Sequence, residues 1–403
     1  MSRDANDRRS STRRDYVKYG CSVIGSGLFA GCSNLAGSDS STGSDGSAGT
    51  TVGTATETAE DTSYSVTMAP AGEVTFQRVP QRWVPYDPGF ADMGVALGHG
   101  DGMTGIGQAQ EYYTSYYSEL PGVGVDRAVL ENNDLVAAGM SKELFYELEN
   151  DVHVIDPVFL RQAFDWTDDD VAEIRENVAP FLGNRLFRRS DEWHDYRYYT
   201  MYQAFEKMAQ LFQEQRRYEA FESVHEEFIS SVQTRLPPAD QRPDVLLTYE
   251  HTNEPSSFSP YRLNDRGTNK KQWRDLGVSD ALAGTAVENL STDNRSELDY
   301  ENLIEVDPDV ILIRGHERKS AAEFRETVLG YMRDHPVASE LTAVQNGRVY
   351  RGGPLKQGPI QNFFLTERAA KQLYPDVFGE VTGDAKLFDR QRIADIVTGE
   401  YEA

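Results

Sequence analysis

One pattern occurs twice in this chain, as DRAVLENNDLV from Asp126 and as ENLIEVDPDVI from Glu301. Each copy opens on an acid, continues with apolar residues at helical spacing, and passes through a polar turn to an Asp and an apolar run. The stretch between the copies, from about Asp168 to Arg235, carries no strand signal. Its apolar residues fall at helical spacing, as in AFEKMAQLFQEQRRYEAFESVHEEFISSV, and Pro237-Pro238 closes it. Repeated helix–turn–strand units on both sides of a helical block predict two similarly built α/β lobes.

The flanking sequence fits that division. Tyr64–Met68 and Glu73–Phe76 read as an opening hairpin. Arg82–Pro85 reads as a strand, DMGVALG as a helix and Met103–Ile106 as a short strand. DLVAAG (Asp134–Gly139) reads as a buried strand, KELFYELEN as an amphipathic helix and Val152–Ile155 as another strand. Beyond the diproline, PDVLLTY, PDVILIR and GRVYRGG alternate with helical segments. The expected architecture is α/β. It has an N-terminal lobe over residues 64–195, one long rigid connecting helix over 196–236 and a C-terminal lobe over 237–403, with a cleft between two Rossmann-like lobes.

The N-terminus reads as an address. Arg13 and Arg14 precede a modestly apolar run to Ala30, too short and too rich in Gly and Ser to span a bilayer as a stable helix. Residues 1–31 resemble a twin-arginine export signal. LFAGC resembles a lipobox with cleavage before Cys32 and lipid on its sulfur, although Phe29 is a looser fit than a smaller aliphatic residue. Cys21 would leave with the signal, so the processed chain would hold no disulfide. Residues 32–63, made mainly of Ser, Gly, Thr and Ala, are expected to be a flexible tether.

Composition limits the partners. The chain has 65 Asp and Glu against 40 Lys and Arg, a net charge of −25, and only nine of the 40 cations are lysines. Nucleic acid and anionic lipid surfaces are poor general partners for such a chain. Carboxylates spread along the whole length suit concentrated salt, where screening falls to roughly 3 Å at 1 M. In this respect the chain resembles haloarchaeal proteins.

Enzyme and metal signatures are missing. The seven histidines (99, 153, 194, 225, 251, 316 and 335) show no HxxxH, HxH or Cys/His spacing. GHGDGMTGIG has neither GK[ST] nor a GxGxxG register, and there is no nucleophile elbow. The tyrosine doublets at 112–113 and 116–117 lie in a helix-like EYYTSYYSEL, where aromatic packing accounts for them better than iron-binding phenolates do.

Two α/β lobes, a helical connector and an acid eight residues before each strand-opening Asp together resemble the substrate-binding proteins of ABC importers. The class is that of ferric siderophores, haem and cobalamin. LTAVQNGRVY (Leu341–Tyr350) and DMGVALGHGDGMTGIG are similar to segments of that family, and the resemblance covers roughly residues 73–375. Asn133 stands where the family usually has Pro, Asp126 where it has Glu, and NRLFRRSDEWHDYRY (184–198) looks inserted.

The resemblance implies a non-enzymatic, cofactor-free, monomeric receptor that passes a ferric siderophore to permease subunits and sits outside the membrane on its lipid. A cobalamin or haem receptor of the same fold is the alternative. From another class, a surface-anchored chelatase or hydrolase on a two-lobe frame is the competing reading. Strand ends facing a shared cleft select Trp83, Tyr86, Met140, Tyr261, Arg262, Arg314 and Arg351 as ligand contacts, with no metal ligated directly by protein. The family likeness assigns Asp126 and Glu301 to transporter docking.

Overall fold

The computed structural model describes residues 63–381 and 383–401. Arg13, Arg14, Cys32 and all of the expected tether except Ser63 lie outside the described residues.

β1 (Tyr64–Met68) pairs antiparallel with β2 (Gly72–Phe76) as the expected hairpin. The first lobe then contains β3 (Trp83–Pro85), α1 (Pro88–Ala96), α2 (Arg127–Asn132) and α3 (Lys142–Leu148). It ends with β4 (Val152–Val154), α4 (Pro157–Ala163) and α5 (Asp168–Asn177). β3 pairs in parallel with β4, and single parallel bridges link Trp83 to Met103, Ile106 to Asp134 and His153 to Phe181. The result is a rudimentary parallel sheet in which only the two middle members are regular strands.

The expected strand at 134–139 is reduced to one bridge. The Asp134 carboxylate explains this. Its Oδ1 accepts from the Val136 and Ala137 amides at 3.0 and 2.9 Å, and its Oδ2 accepts from Ala109 N at 2.9 Å. The side chain thereby folds the following residues into a turn, in competition with a ladder.

The expected single helix over 196–236 is two helices. α6 (Met201–Phe212) starts on a Thr200–Gln203 capping box and ends at Gln213, whose φ is +57°. α7 (Gln215–Gln233) folds back along it, with Tyr202 4.6 Å from the His225 ring and Phe205 5.6 Å from Phe221. α7 carries the chain from the first lobe to the second, over about 28 Å at 1.5 Å per residue. Near its start Arg217 donates to the Leu97 carbonyl. At its last residue Gln233 reaches Asp275 O at 3.0 Å, and just beyond it Arg235 reaches Val377 O at 2.6 Å.

The second lobe begins with β5 (Asp244–Tyr249), β6 (Ser259–Pro260), α8 (Lys271–Asp275) and β7 (Ser279–Asp280). α9 (Tyr300–Val306), β8 (Val310–Arg314), α10 (Ala321–Phe324), α11 (Gly330–Asp334) and α12 (Thr342–Gln345) follow. β9 (Val349–Arg351), α13 (Pro359–Leu373), α14 (Pro375–Phe378) and α15 (Arg390–Thr398) complete the chain. β5, β8 and β9 run parallel in that order, and β6 and β7 share the other edge of β5. β8 is buried at all five positions because it is paired on both sides and covered on both faces. Ile311 and Ile313 pack towards Val328, Met332 and Val344, while Val310 and Leu312 point into a core that also holds Trp83, Phe205, Phe221 and Phe363.

That second core belongs to both lobes. α13 lies against α1 and α7, with Phe363 5.6 Å from Phe221 and 5.2 Å from Phe228. A shared apolar core of this kind limits how far the lobes can move apart.

Candidate functional site

Loops at the carboxyl ends of parallel strands are where open sheets gather ligands. In the first lobe β3 ends at Tyr86-Asp87 and the neighbouring run at Gly107-Gln108. In the second, β5, β8 and β9 lead into Glu250, Gly315 and Gly352. Gly315 turns the chain off β8 at φ +99°, and a Cβ there would lie 2.4 Å from the Glu250 carbonyl oxygen.

The two rims face each other and touch. Lys356, on the loop after β9, donates to the Gln108 side-chain oxygen and stands 5.0 Å from the centroid of the Tyr86 ring. Arg318, just past β8, donates to the Gln110 side chain at 2.6 Å and lies 5.8 Å from the Tyr113 ring. The Tyr116 hydroxyl donates to Glu317 at 3.0 Å, and Arg368 pairs with the same carboxylate. Cavities of about 680 and 370 Å³ lie along α7 and one of about 430 Å³ lies between α6 and α8, whereas at the rims these side chains meet directly.

Tyr86 is contacted by a second cation. The Arg185 guanidinium is 5.7 Å from its ring, 4.3 Å from the Phe159 ring and 3.5 Å from the Asp87 carboxylate. Across the rim, Arg314 lies 5.1 Å from the Tyr261 ring and donates to the carbonyls of Asn269 and Gly352. Its Nη1 is buried and has no hydrogen-bond partner among the described residues, and the same holds for Arg185 Nε.

The Glu111 carboxylate lies close enough to act on tyrosines of both halves. Burial is the main reason that Tyr86 is pushed up to about 12 and that Tyr113, Tyr249 and Tyr261 are also raised. The Glu111 carboxylate adds to the rise in all four, two in each lobe. Burial pushes the Lys356 ammonium down to about 8 against the pull of Asp87, and pushes Arg314 down to about 10 against the pull of Tyr261.

Of the seven expected ligand contacts, Tyr86, Tyr261 and Arg314 stand at the rims. Trp83 does not. Its ring is fully buried, edge-on to Phe212 at 5.3 Å, and its Nε1 donates to His99 O at 3.0 Å. Met140 is buried in a separate apolar cluster of the first lobe and adopts φ +53°, its carbonyl accepting from Trp166 Nε1 at 2.9 Å. Arg262 is spent on Asp280 at 2.8 Å and on the Val287 carbonyl. Arg351 turns back to the carbonyls of Glu317 and Lys319. Strand position alone cannot tell a rim side chain from one that points into the sheet's own core.

Lys356 and Arg185 were not foreseen. Lys356 lies five residues past β9, and Arg185 is the second residue of the inserted stretch 184–198, where sequence periodicity carries no directional information. That stretch binds the lobes together on one flank: Ser190 Oγ donates to Leu290 O at 2.5 Å, and the Thr292 amide donates to Asp191 at 3.0 Å.

Asp126 and Glu301 are both exposed, but they are not equivalent. Asp126 is the N-cap of α2 and accepts from Ala128 N and Val129 N at 3.0 and 3.2 Å. Glu301 lies inside the first turn of α9, whose cap is Asp299. Among the described residues no helix is long and apolar enough to cross a membrane, and no group of three His, Cys, Asp or Glu is arranged to hold a metal.

A family model described as periplasmic binding protein matches residues 156–354. Solved structures share the fold over most of their length. A periplasmic binding protein from Veillonella parvula superposes with a TM-score of 0.54 at 16% identity, covering 77% of this chain and 97% of its own. The siderophore-binding protein BauB, solved with a complex of two acinetobactin molecules and ferric iron, gives 0.51 at 16% identity over 77% and 98%. Helicobacter pylori CeuE with Ni(II) bound gives 0.50 at 14% identity over 78% and 90%. No curated protein matches the sequence. The chain therefore has the two-lobe α/β fold of periplasmic binding proteins.

Proposed function

We propose that the chain is the extracytoplasmic receptor of an ABC importer and that it captures a ferric siderophore between its rims. The observation that carries this reading is the Tyr86 ring, contacted by Arg185 and Lys356 where the two lobes meet. In a chain of net charge −25, cations gathered at a strand-end rim call for an anionic or oxygen-rich ligand. Guanidinium forks suit carboxylate, catecholate or hydroxamate oxygens, and the Tyr86 and Tyr261 rings offer flat area to an organic scaffold. Arg314 Nη1 and Arg185 Nε supply donors that protein groups leave unused.

Capture exchanges the polar contacts of Lys356 with Gln108 and of Arg318 with Gln110 for contacts to the chelate. The apolar core around Phe363 keeps the accompanying movement small, and no covalent step is needed. Export by the Arg13-Arg14 signal and lipid on Cys32 would hold the receptor at the outer face of the membrane. Asp126 and Glu301 would meet cationic side chains of the permease. Asp126 caps α2 through Oδ1, which leaves Oδ2 free to serve a partner.

Intrinsic fluorescence in high salt, titrated with ferric hydroxamates, ferric citrate and cobalamin, tests the reading. Saturable quenching by a ferric chelate but not by its iron-free form is the expected result. A response to cobalamin alone overturns the siderophore assignment, and no response to any of them overturns the receptor assignment for this class.

A further inference from the structure

A second charged site lies behind the rim. A groove of about 430 Å³ is lined from the first half of the chain by Arg189 and Thr200, and from the second by Arg266, Lys271, Arg274 and Asp275. Thr268 also lines it, while the adjacent Asn269 carbonyl faces the other way and accepts from Arg314, so the groove stands back to back with the candidate cleft.

Its charge is out of balance. Four cations share the groove with one carboxylate, in a chain where acids outnumber bases 65 to 40. That carboxylate, Asp275, is already paired with Lys271 at 2.6 Å. Asp265, the other acid close by, is also engaged: its oxygens take the Arg189 and Gly267 amides and the Lys270 ammonium, at 3.0, 2.9 and 3.0 Å.

None of the three guanidinium groups is in a direct ion pair among the described residues, since both nearby carboxylates are taken up by lysines and backbone amides. Arg274 is fixed through Nη1 by the carbonyls of Asp265 and Gly267, at 3.1 and 2.9 Å. Arg189 sits 5.3 Å from the Tyr198 ring, and its Nε is buried without a hydrogen-bond partner among the described residues. Burial lowers both Arg189 and Arg274; Asp265 offsets this in both and Asp275 also in Arg274, while the neighbouring Arg266 charge adds a smaller lowering to each. Such crowding is unfavourable with the groove empty, and a bound anion would relieve it.

We propose that this groove binds a free, doubly charged oxyanion of the phosphate or sulfate type. The concave walls suit a small free ion, and guanidinium donors converging from both halves of the chain suit a tetrahedral set of oxygens. Arg189 and Arg185 lie on the same inserted stretch, so an anion in the groove steadies the segment that also presents Arg185 to the rim.

Calorimetric titration of the full chain with inorganic phosphate and with sulfate, ionic strength held constant with chloride, tests the proposal. Saturable one-site binding is expected, weakened at least tenfold by Arg266→Ala and unaffected by Arg392→Ala on the α15 surface. Arg266 is exposed, so its truncation leaves the core untouched. Thermal unfolding supplies a second readout: sulfate should raise the Tm of the wild type over matched chloride, and the gain should vanish in Arg266→Ala. Absence of saturable binding overturns the proposal, as does equal affinity in Arg266→Ala. Sedimentation with phosphatidylglycerol vesicles that Arg266→Ala abolishes would reassign the site to a lipid headgroup.

Discussion

Replacing Asp92 with alanine would remove one acceptor from three donors where α1 meets α13. Oδ1 accepts from the Tyr117 hydroxyl at 2.6 Å, and Oδ2 accepts from the Ile360 and Gln361 amides at 2.7 and 3.2 Å. Those amides belong to the first turn of α13, where no intrahelical acceptor exists. Tyr117 can turn to the Tyr112 hydroxyl, 2.6 Å away, but the two amides cannot turn. Each buried donor left unpaired costs about 1–3 kcal/mol, so Asp92→Ala should destabilise by about 2–6 kcal/mol. Asp92→Asn keeps the shape, with its carbonyl serving the amides and its NH2 donating to the Tyr117 oxygen, and should cost far less.

The pH dependence separates the variants further. Burial pushes the Asp92 carboxyl up from 3.8 to about 7, opposed by its hydrogen bonds. A raised acid binds its proton more tightly when folded, so its favourable contribution is complete below about pH 4 and is lost as pH rises through about 7. A rise of that size corresponds to on the order of 4 kcal/mol. Asp92→Asn has no such dependence, so between pH 5 and pH 8 it should gain on the wild type in urea unfolding followed by circular dichroism at fixed salt. A loss below 1 kcal/mol in Asp92→Ala would refute the hydrogen-bond argument, and an Asn variant that falls further behind at pH 8 would refute the buried-charge argument.

Three other outcomes are expected. A Cβ on Gly94 would lie 2.2 and 2.3 Å from two carbons of the Trp83 ring, which is held by its bond to His99 O, so Gly94→Ala should cost about 1–3 kcal/mol by overpacking; an unchanged Tm would show that Trp83 is not locked. Lys356→Met should weaken binding of an anionic ferric chelate by about ten- to a hundredfold, the worth of a charge-assisted bond. Because the Lys356 pKa is about 8, wild-type affinity should fall as pH rises past that value, while the variant's profile stays flat in fluorescence titrations. Asp126→Arg combined with Glu301→Arg should leave chelate affinity intact and abolish uptake by cells; lost affinity would move those acids into the cleft.

Much of the second lobe was readable because β5, β8 and β9 are apolar runs fixed by Asp and Gly punctuation, the pattern a doubly covered parallel strand requires. The first lobe was harder. Asp134 looks like the start of a strand, yet its own carboxylate captures the Val136 and Ala137 amides, a local competition that an apolar count does not register. The break between α6 and α7 needs only Gln213 in the left-handed region, without Gly or Pro to announce it, and what selects it is the mutual burial of two aromatic stripes. At the candidate site, strand ends pointed to Tyr86 and Arg314, both of which stand at the rims. Arg185 and Lys356 escaped because loops decide where they reach, and only the assembled topology brings residues 86, 185 and 356 together.

The distribution of polar and apolar contacts between the lobes indicates where movement can occur. Along α6, α7 and α13 the lobes share ring-on-ring packing of Phe205, Phe221, Phe228 and Phe363, which is costly to separate because every lost contact leaves a void. At the rims they meet through Lys356–Gln108, Arg318–Gln110 and Tyr116–Glu317, hydrogen bonds that water or a ligand oxygen can replace at small net cost. In the proposed receptor, opening would therefore fall at the edge that carries the cations, with the aromatic edge holding the lobes together. Under the proposed function, such a receptor would exchange one set of polar partners for another to admit an anionic guest, while the buried Asp92 bonds would keep α1 and α13 together behind the rims.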